Sequence, residues 1–307
     1  PQTLVLAFGG GPNHVGVVEA LMNAYPQSHI LGCAAPTLRR AGATATLAVN
    51  TVRFTHTKIG TAWTELSMGA AEAGQALGQK LMRPDLRAVF LVGDGHGLDK
   101  EAFLRALVGV CPSNVTISGG FTSGDRGAFV LCNALQRTGI AAAVGFYGDH
   151  LLVANSVQAG FEAFGPERVV TKASGSVVYE LDGRPALAVY SEYLRGPISA
   201  NTALTFPLGV KRGEVFAPRL PISFDPSAQS LTFAGEVPVD AIVRLMRGNH
   251  DRLLADVDAA TRAAALGAGT GNGLVIAVSS SGRSDALGDR AEEEVEVILD
   301  SLPSNVS

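Results

Sequence analysis

Residues 176–195 constrain the local fold more strongly than any other segment of the chain. Val177 and Leu181 favour a half-buried strand, and Asp182-Gly183 favours a tight turn in which glycine takes a positive φ. Pro185 suits the first turn of a helix, where its missing N–H costs nothing. The following apolar residues recur at helical spacing: Leu187, Tyr190 and Leu194. The segment therefore predicts a strand, a tight turn and an amphipathic helix.

The rest of the chain alternates predicted helices and strands. Its start predicts a strand, a helix and a second strand, as in a βαβ unit, whereas residues 127–161 predict consecutive strands that favour antiparallel pairing. We therefore predict an α/β protein of mixed α+β type, with two halves whose mixed, largely antiparallel sheets are flanked by helices. Predicted strands include 3–8, 29–33, 88–92, 115–118, 128–131, 140–145, 151–157 and 274–279, and predicted helices include 15–24, 65–82, 99–110, 250–266 and 290–302.

Composition and charge argue against two classes of partner. Hydrophobic residues make up 47% and charged residues 17% of the 307 residues, which is an ordinary globular composition. The net charge is -4 and the basic residues are scattered singly, so we do not expect nucleic acid as a partner. Apolar stretches such as 140–144 and 274–278 fall far short of the roughly 20 residues that a membrane helix needs. We therefore expect no membrane insertion.

The cysteines indicate a reducing environment. Cys33, Cys111 and Cys132 are an odd number with wide spacing, which favours neither a disulfide framework nor a zinc site. No basic, then apolar leader is visible at the start of the sequence. We therefore expect a cytoplasmic location.

Residues 181–194, LDGRPALAVYSEYL, closely resemble a phrase of a known family. The family is FIST, a group of bacterial sensory domains named for F-box and intracellular signal transduction proteins, and its phrase is LDGRPALEVYEEYL. Similar motifs follow in family order along the chain: Gly32-Cys33, Gly119-Gly120 with Asp125, Ser230–Pro238, Val243–Arg247, Ser280–Arg283, Leu287–Arg290 and Glu293-Glu294. With the proline- and glycine-rich stretch at 196–221 as a boundary, the resemblance predicts a FIST N-like domain at 1–196 and a FIST C-like domain at 197–307.

The sequence departs from the family pattern at three places. Ala34-Ala35-Pro36 follows Cys33 where polar and acidic residues are usual, and Ser281, or Ser280 in another alignment, stands where a cysteine is common. The sequence also stops at Ser307, before the family's closing GFYS-GE and HNQT segments. We therefore expect a FIST C-like domain that is incomplete relative to the family.

The resemblance implies a soluble sensory protein that binds a small molecule and signals to a separate partner. The implied ligand is an amino-acid-like metabolite, or haem as in nitric-oxide-sensing members. The resemblance does not specify a cofactor. The implied partner is a histidine kinase or another signalling protein, since no output domain is visible in the sequence. The alternative is an enzyme that acts on a small molecule with Cys33 or a histidine such as His96 in its pocket.

Two glycine-rich loops follow predicted strands and are candidate ligand sites. Asp94 and His96 lie in the loop 93–99, beside the start of a predicted helix, where backbone N–H groups can bind an anion. The alternative for Asp94 is a structural cap. In the loop 119–126, Gly119 and Gly120 allow a close backbone approach and Asp125 could bind an amine. The alternative is a tight polar turn.

The remaining candidates are single residues. Cys33 ends a predicted buried strand, and its alternative is a neutral buried thiol. Arg184 could bind a carboxylate through two hydrogen bonds or pair with a nearby acid. The loop that contains Ser281 and Arg283 could likewise bind an anion. No metal site is predicted, because the six histidines show no metal-ligand spacing in the sequence. By residue type, His96 could act as a base or as a haem or metal ligand, and His14, His56, His150 and His250 are equally available. The alternative for any one of them is a solvated or capping role.

Overall fold

The computed structural model describes residues 2–9, 16–35, 38–40, 43–45, 47–122, 128–158, 160–194, 206–267, 269 and 271–306. The chain divides into two compact units. Unit 1 comprises Pro1–Asn155, Ala263–Val278 and Pro303–Ser307, and unit 2 comprises Ser156–Arg262 and Ser279–Leu302. Each unit is considered by itself.

Unit 1 contains two main sheets and three helices among its described residues. The elements are β1 (Gln2–Gly9), α1 (Val17–Ala24), β2 (His29–Cys33), β3 (Leu38–Arg40), β4 (Ala43–Ala45), β5 (Leu47–Phe54), β6 (Lys58–Glu65), α2 (Ala70–Leu81), β7 (Leu86–Gly93), α3 (Lys100–Val110), β8 (Thr116–Phe121), β9 (Val130–Cys132), β10 (Leu135–Arg137) and β11 (Ile140–Tyr147). The strand orders are β10-β9-β2-β1-β5 and β6-β11-β7-β8, and β3 pairs with β4 as a separate hairpin. Both main sheets mix parallel and antiparallel pairs.

The alternation of side chains along the strands explains how unit 1 is layered. In β1, Leu4 and Leu6 join a buried cluster that includes Phe90 of β7 and Ile140 of β11, so the two sheets pack face to face. The intervening residues Val5 and Ala7 pack with α1 instead. On the outer face of the second sheet, residues of β7 and β11 pack against α2 and α3. Unit 1 is therefore a four-layer arrangement of helix, sheet, sheet and helices, and its central strands are apolar because both of their faces are covered.

Unit 1 repeats one topology twice. In the first copy β1, α1 and β2 form a parallel βαβ unit, a short hairpin (β3 and β4) follows, and β5 returns antiparallel to β1. In the second copy β7, α3 and β8 form the parallel unit, β9 and β10 form the hairpin, and β11 returns antiparallel to β7. No repeat is visible in the sequence, so the repetition is a property of the fold.

Unit 2 is built on one antiparallel sheet. Its elements are β12 (Phe161–Ser174), β13 (Val177–Leu181), β14 (Arg184–Pro185), α4 (Ala186–Leu194), β15 (Leu208–Arg212), β16 (Val215–Arg219), β17 (Pro221–Asp225), β18 (Ser230–Phe233), β19 (Ile242–Gly248), α5 (His250–Gly267), α6 (Ser281–Leu287) and α7 (Glu293–Ser301), with the end of α5 assigned to unit 1. The strand order is β16-β15-β19-β12-β13-β18-β17, and β14 pairs with β13. Helix α4 packs on this sheet through Leu187 and Tyr190, whereas α5, α6 and α7 share a smaller apolar cluster around Leu253 and Leu287.

The strand, turn and helix predicted for 176–195 are confirmed over the described part of that segment. β13 ends at Leu181, and Asp182 (φ 51°) and Gly183 (φ 73°) form the turn into β14. The two positive φ values match the turn type that suits a two-residue hairpin. Helix α4 begins at Ala186, so Pro185 lies directly before the helix, at the end of β14, rather than within the first turn. The mixed α+β fold class is likewise confirmed.

Several predicted elements are wrong or differ in extent. The segments 151–157 and 274–279 were expected to be strands, but neither pairs with a strand among the described residues. The predicted helix 65–82 begins only at Ala70, because Gly69 has a φ of 108°, outside the helical region. Strand β12 was not predicted, since Gly165 and Pro166 interrupt its pattern at an irregularity in the ladder. In the part of the chain that the structure describes, no helix has both the length and the apolar character needed to cross a bilayer.

Candidate ligand-binding site at the carboxyl edge of unit 1

The four parallel strands of unit 1 end at one edge. The side chain of Gln2, at the start of β1, accepts a hydrogen bond of 2.6 Å from the backbone N–H of Ile59, near the start of β6. Strand β7 runs parallel to β6, since both pair antiparallel with β11. The carboxyl ends of β1, β2, β7 and β8 therefore point to the opposite edge, which we call the carboxyl edge. Ligands of α/β sheets commonly bind outside the carboxyl ends of parallel strands.

The structure brings together two of the loops singled out in the sequence. The backbone N–H of Thr122, after β8, donates to the carbonyl of Gly93 at 2.8 Å. The Thr122 hydroxyl accepts a 3.1 Å hydrogen bond from the backbone N–H of Gly95. A Cβ at Gly95 would lie 2.2 Å from the Thr122 carbonyl oxygen, so only glycine fits there. The loops after β7 and β8 therefore form one connected surface at the carboxyl edge.

Asp94 holds this surface together. Its side chain is buried, and one carboxylate oxygen accepts from the N–H of His96 at 3.0 Å while the other accepts from the N–H of Gly139 at 2.8 Å. Its own N–H donates to the carbonyl of Ile140 at 2.9 Å. The geometry matches the structural alternative given for Asp94, with the carboxylate tying the loop to the start of β11.

His96 and Lys100 supply polar chemistry at the same place. His96 is exposed on the loop that Asp94 fixes. The Nζ atom of Lys100, in the first turn of α3, lies 3.3 Å from the position that a Cβ on Gly95 would take. Sequence reasoning missed Lys100 and Thr122. Asp99 caps α3, its carboxylate accepting from the N–H of Ala102 at 3.0 Å. The position of Lys100 after this acidic residue and that of Thr122 after the glycine pair are the signals that could have suggested them.

Gly119 and Gly120 shape the second loop. Gly119 has a φ of 126°, and a Cβ there would lie 1.9 Å from the carbonyl oxygen of Leu91 on the paired strand. Gly120 faces Val278, whose Cγ1 is 3.1 Å from the corresponding Cβ position. Gly119 is thus explained by its close approach to the backbone of β7, whereas Gly120 lies against a side chain. Asp125, predicted to bind a ligand, lies outside the described residues.

Cys33 lies at the end of β2, at the carboxyl edge of the other sheet. It is half-buried and packs against the cluster between the two sheets. Burial raises the pKa of the Cys33 thiol to about 11. The side chain is therefore a neutral thiol near pH 7, which does not favour a role as a nucleophile.

Arg184 lies elsewhere, in β14 of unit 2, and pairs with the helix that follows it, α4. Its guanidinium makes two hydrogen bonds to the carboxylate of Glu192 on α4, one of them 3.0 Å long. Hydrogen bonding and charge from Arg184 lower the pKa of Glu192. The bidentate pairing that could have bound a ligand carboxylate is thus formed between Arg184 and Glu192 of the same chain.

The predicted loop 280–283 is the start of α6 in unit 2. Ser280 caps the helix, its hydroxyl accepting from the N–H of Arg283 at 3.3 Å. Arg283 is buried, and its Nε donates to Glu294 at 3.1 Å and its Nη2 to the carbonyl of Leu253 at 3.0 Å. The side chain of Ser281 lies outside what the structure describes. Arg283 is therefore held by α5 and α7.

Two clefts among the described residues of unit 2 lack the features that a haem site needs. A haem needs an axial histidine, cysteine, methionine or tyrosine on the wall of a largely apolar cavity. The larger cavity, about 470 Å³, contains Met246 with Phe161, Phe216, Glu162 and Arg252, and the Met246 thioether packs at Gly209 between strands. The smaller one, about 300 Å³ between α5 and α7, is lined by no such ligand. At the carboxyl edge, His96 is exposed rather than set in an apolar wall.

The fold and the carboxyl edge define a two-unit α+β protein with a loop-built candidate site. The family model of the FIST N domain matches residues 3–184, and that of the FIST C domain matches residues 186–307. The chain therefore belongs to the FIST family, whose domains are sensory domains in signal transduction. Neither the search of curated proteins nor the search of solved structures found a match.

Proposed function

We propose that this protein is a cytoplasmic sensor that binds a small carboxylate-bearing metabolite, such as an amino acid, at the carboxyl edge of unit 1. Binding shifts the protein between conformations and so changes its contacts with a separate signalling protein, such as a histidine kinase. Membership of the FIST family over both halves of the chain is the observation that carries the sensory role. The three free cysteines support the cytoplasmic location.

The chemistry at the carboxyl edge supports a carboxylate as the recognised group. Lys100 provides a cation beside Gly95, and His96 provides an exposed imidazole on the same loop. Helix α3 begins there, and the N-terminus of a helix favours negative charge, part of which Asp99 already supplies by accepting from the N–H of Ala102. Asp94 already accepts two backbone hydrogen bonds and fixes the loop that carries these groups.

Thermal unfolding of the full chain in the presence of single L-amino acids and simple carboxylic acids tests this function. We expect at least one of these compounds to raise the Tm, because a ligand that binds only the folded state stabilises it. Lys100→Met should weaken that binding about tenfold or more, since a charge-assisted hydrogen bond contributes about 1.5–3 kcal/mol. Lys172→Met is the matched control, because Lys172 lies in unit 2 over the ring of Tyr179.

Two results would contradict the proposal. One is that no amino acid or carboxylate raises the Tm at millimolar concentration. The other is that Lys100→Met and Lys172→Met bind the stabilising compound equally well.

Titration with haemin distinguishes the alternative ligand, because a stoichiometric Soret band would indicate a haem sensor instead. Pull-down of a histidine kinase that depends on the stabilising compound would support the signalling step.

A further inference from the structure

Two histidines that are far apart in the sequence meet at the edge of unit 1 opposite the carboxyl edge. Strands β6 and β11 pair antiparallel, and the pairing ends with Lys58 opposite Tyr147. His56 precedes Lys58 by two residues and His150 follows Tyr147 by three, so both lie just beyond the end of the same ladder. Their ring centroids are 5.2 Å apart, with an angle of 48° between the planes.

We propose that His56 and His150 together bind one divalent transition-metal ion, with Zn²⁺ as the representative ion. Zinc binds imidazole nitrogen at about 2.0–2.1 Å in tetrahedral geometry, which sets the centroids of two ligating rings roughly 5 Å apart. The observed separation of the ring centroids, 5.2 Å, matches this value, so ligation by both histidines requires no large change in the distance between the two rings. Imidazole ligands suit zinc, copper and nickel.

The surroundings define what kind of metal site this is. Both histidines are exposed, so an ion reaches them directly from solvent. The carboxylate of Asp149, next to His150, is paired with Arg87. Among the described residues no group of three or more metal-ligating side chains comes together. The site therefore has two protein ligands, with water completing the coordination, and binds more weakly than a structural zinc site with four protein ligands.

A metal ion bound by both histidines would link the loop between β5 and β6 to the turn after β11. His56 lies between β5 and β6, and His150 lies in the turn after β11. Because the ion binds the folded arrangement of both turns, it stabilises unit 1. Because the ligands must be unprotonated, binding weakens as the pH falls.

Calorimetric titration of the full chain with zinc chloride tests the site. We expect one ion per chain for the wild type, and a loss of affinity of about tenfold or more in each of His56→Asn and His150→Asn, because either change leaves a single protein ligand and removes the gain from binding the ion with two linked groups. His250→Asn is the matched control, since His250 is exposed at the start of α5 in unit 2. Zinc should raise the Tm of the wild type and of the control but not of His56→Asn/His150→Asn.

The proposal is overturned if the wild type shows no zinc binding at millimolar concentration, or if either single variant binds zinc as tightly as the wild type. A loss of affinity in His250→Asn equal to that of the other two variants would likewise overturn it. Affinity that is the same at about pH 5.5 as at about pH 7.5 would contradict imidazole ligation.

Discussion

Arg283 contributes to the packing of the helices of unit 2. The exposed fractions of the Arg283 and Glu294 side chains are only 10% and 12%, so this ion pair is largely removed from water. Removing one partner of a buried ion pair leaves the other as an uncompensated charge, which is costly. The arginine that suggested anion binding in the sequence is thus required by the fold.

Arg283→Met should lower the free energy of unfolding by about 3 kcal/mol, because Glu294 remains buried without its partner. Urea denaturation measures this change. Arg262→Met is the control, since Arg262 pairs with Asp258 at an exposed helix surface, and exposed pairs contribute little. Equal losses in the two variants would show that the Arg283 pair is not effectively buried. The double variant Arg283→Met/Glu294→Gln should recover part of the loss.

The reactivity of Cys33 should depend steeply on pH. Burial raises the pKa of the thiol from its ordinary value of 9.0 to about 11, and only the thiolate is alkylated. The rate of iodoacetamide labelling at Cys33, followed by peptide mass spectrometry, should therefore rise about tenfold per pH unit until pH approaches 11. Urea-denatured protein is the control. Labelling of Cys33 in the folded protein near pH 7.5 as fast as in the denatured protein would contradict a raised pKa.

The thiols of Cys33 and Cys132 should make the free energy of unfolding depend on pH between about pH 9 and pH 11. Burial also raises the pKa of Cys132 to about 11. A thiol with a raised pKa in the folded state contributes its full stability below the unfolded value of 9.0, and that contribution is lost as the pH rises towards 11. The contribution of Cys33 and Cys132 should therefore be constant below pH 9 and fall above it.

At the scale of elements, strand-like sequence did not always produce a strand. The segments 151–157 and 274–279 are apolar enough to predict strands, as β11 is. β11 has β6 and β7 on its two sides, whereas both of these segments lack a partner strand among the described residues. Several of their apolar side chains are exposed, including Leu152 at 69% and Val278 at 60%. A strand depends on the partner that satisfies its backbone.

Hydrogen exchange measured by mass spectrometry should separate these segments from the true strands. We expect peptides from 151–157 and 274–279 to exchange rapidly, because no backbone hydrogen bonds hold them among the described residues. Peptides from β11, which is paired on both sides, should exchange slowly. Slow exchange in 151–157 or 274–279 would contradict this expectation and would indicate that another strand covers the segment.

At the scale of the whole molecule, packing does not follow chain order. Unit 1 includes Ala263–Val278 and Pro303–Ser307 from the far end of the chain. The family models divide the chain between residues 184 and 186, and the division at 196/197 into FIST N-like and FIST C-like domains stays a prediction. Each compact unit therefore combines segments that are separated in the sequence.

The sequence by itself determined the family and some of the local elements. The turn at Asp182-Gly183, the helix after Pro185 and the apolar strands such as β7 depend on backbone preference and on spacing within a few residues, and both can be inferred from the sequence. Over longer distances, the motifs identified the FIST family without fixing which side chains meet.

Only the tertiary structure decided which residues meet, because those contacts depend on strand register and on packing across large sequence separations. Pairing of β6 with β11 brings His56 next to His150. The parallel pairing of β7 with β8 joins Gly95 to Thr122. Arg283 could have bound a ligand by residue type, but the packing of α6 and α7 places it in a hydrogen bond with Glu294.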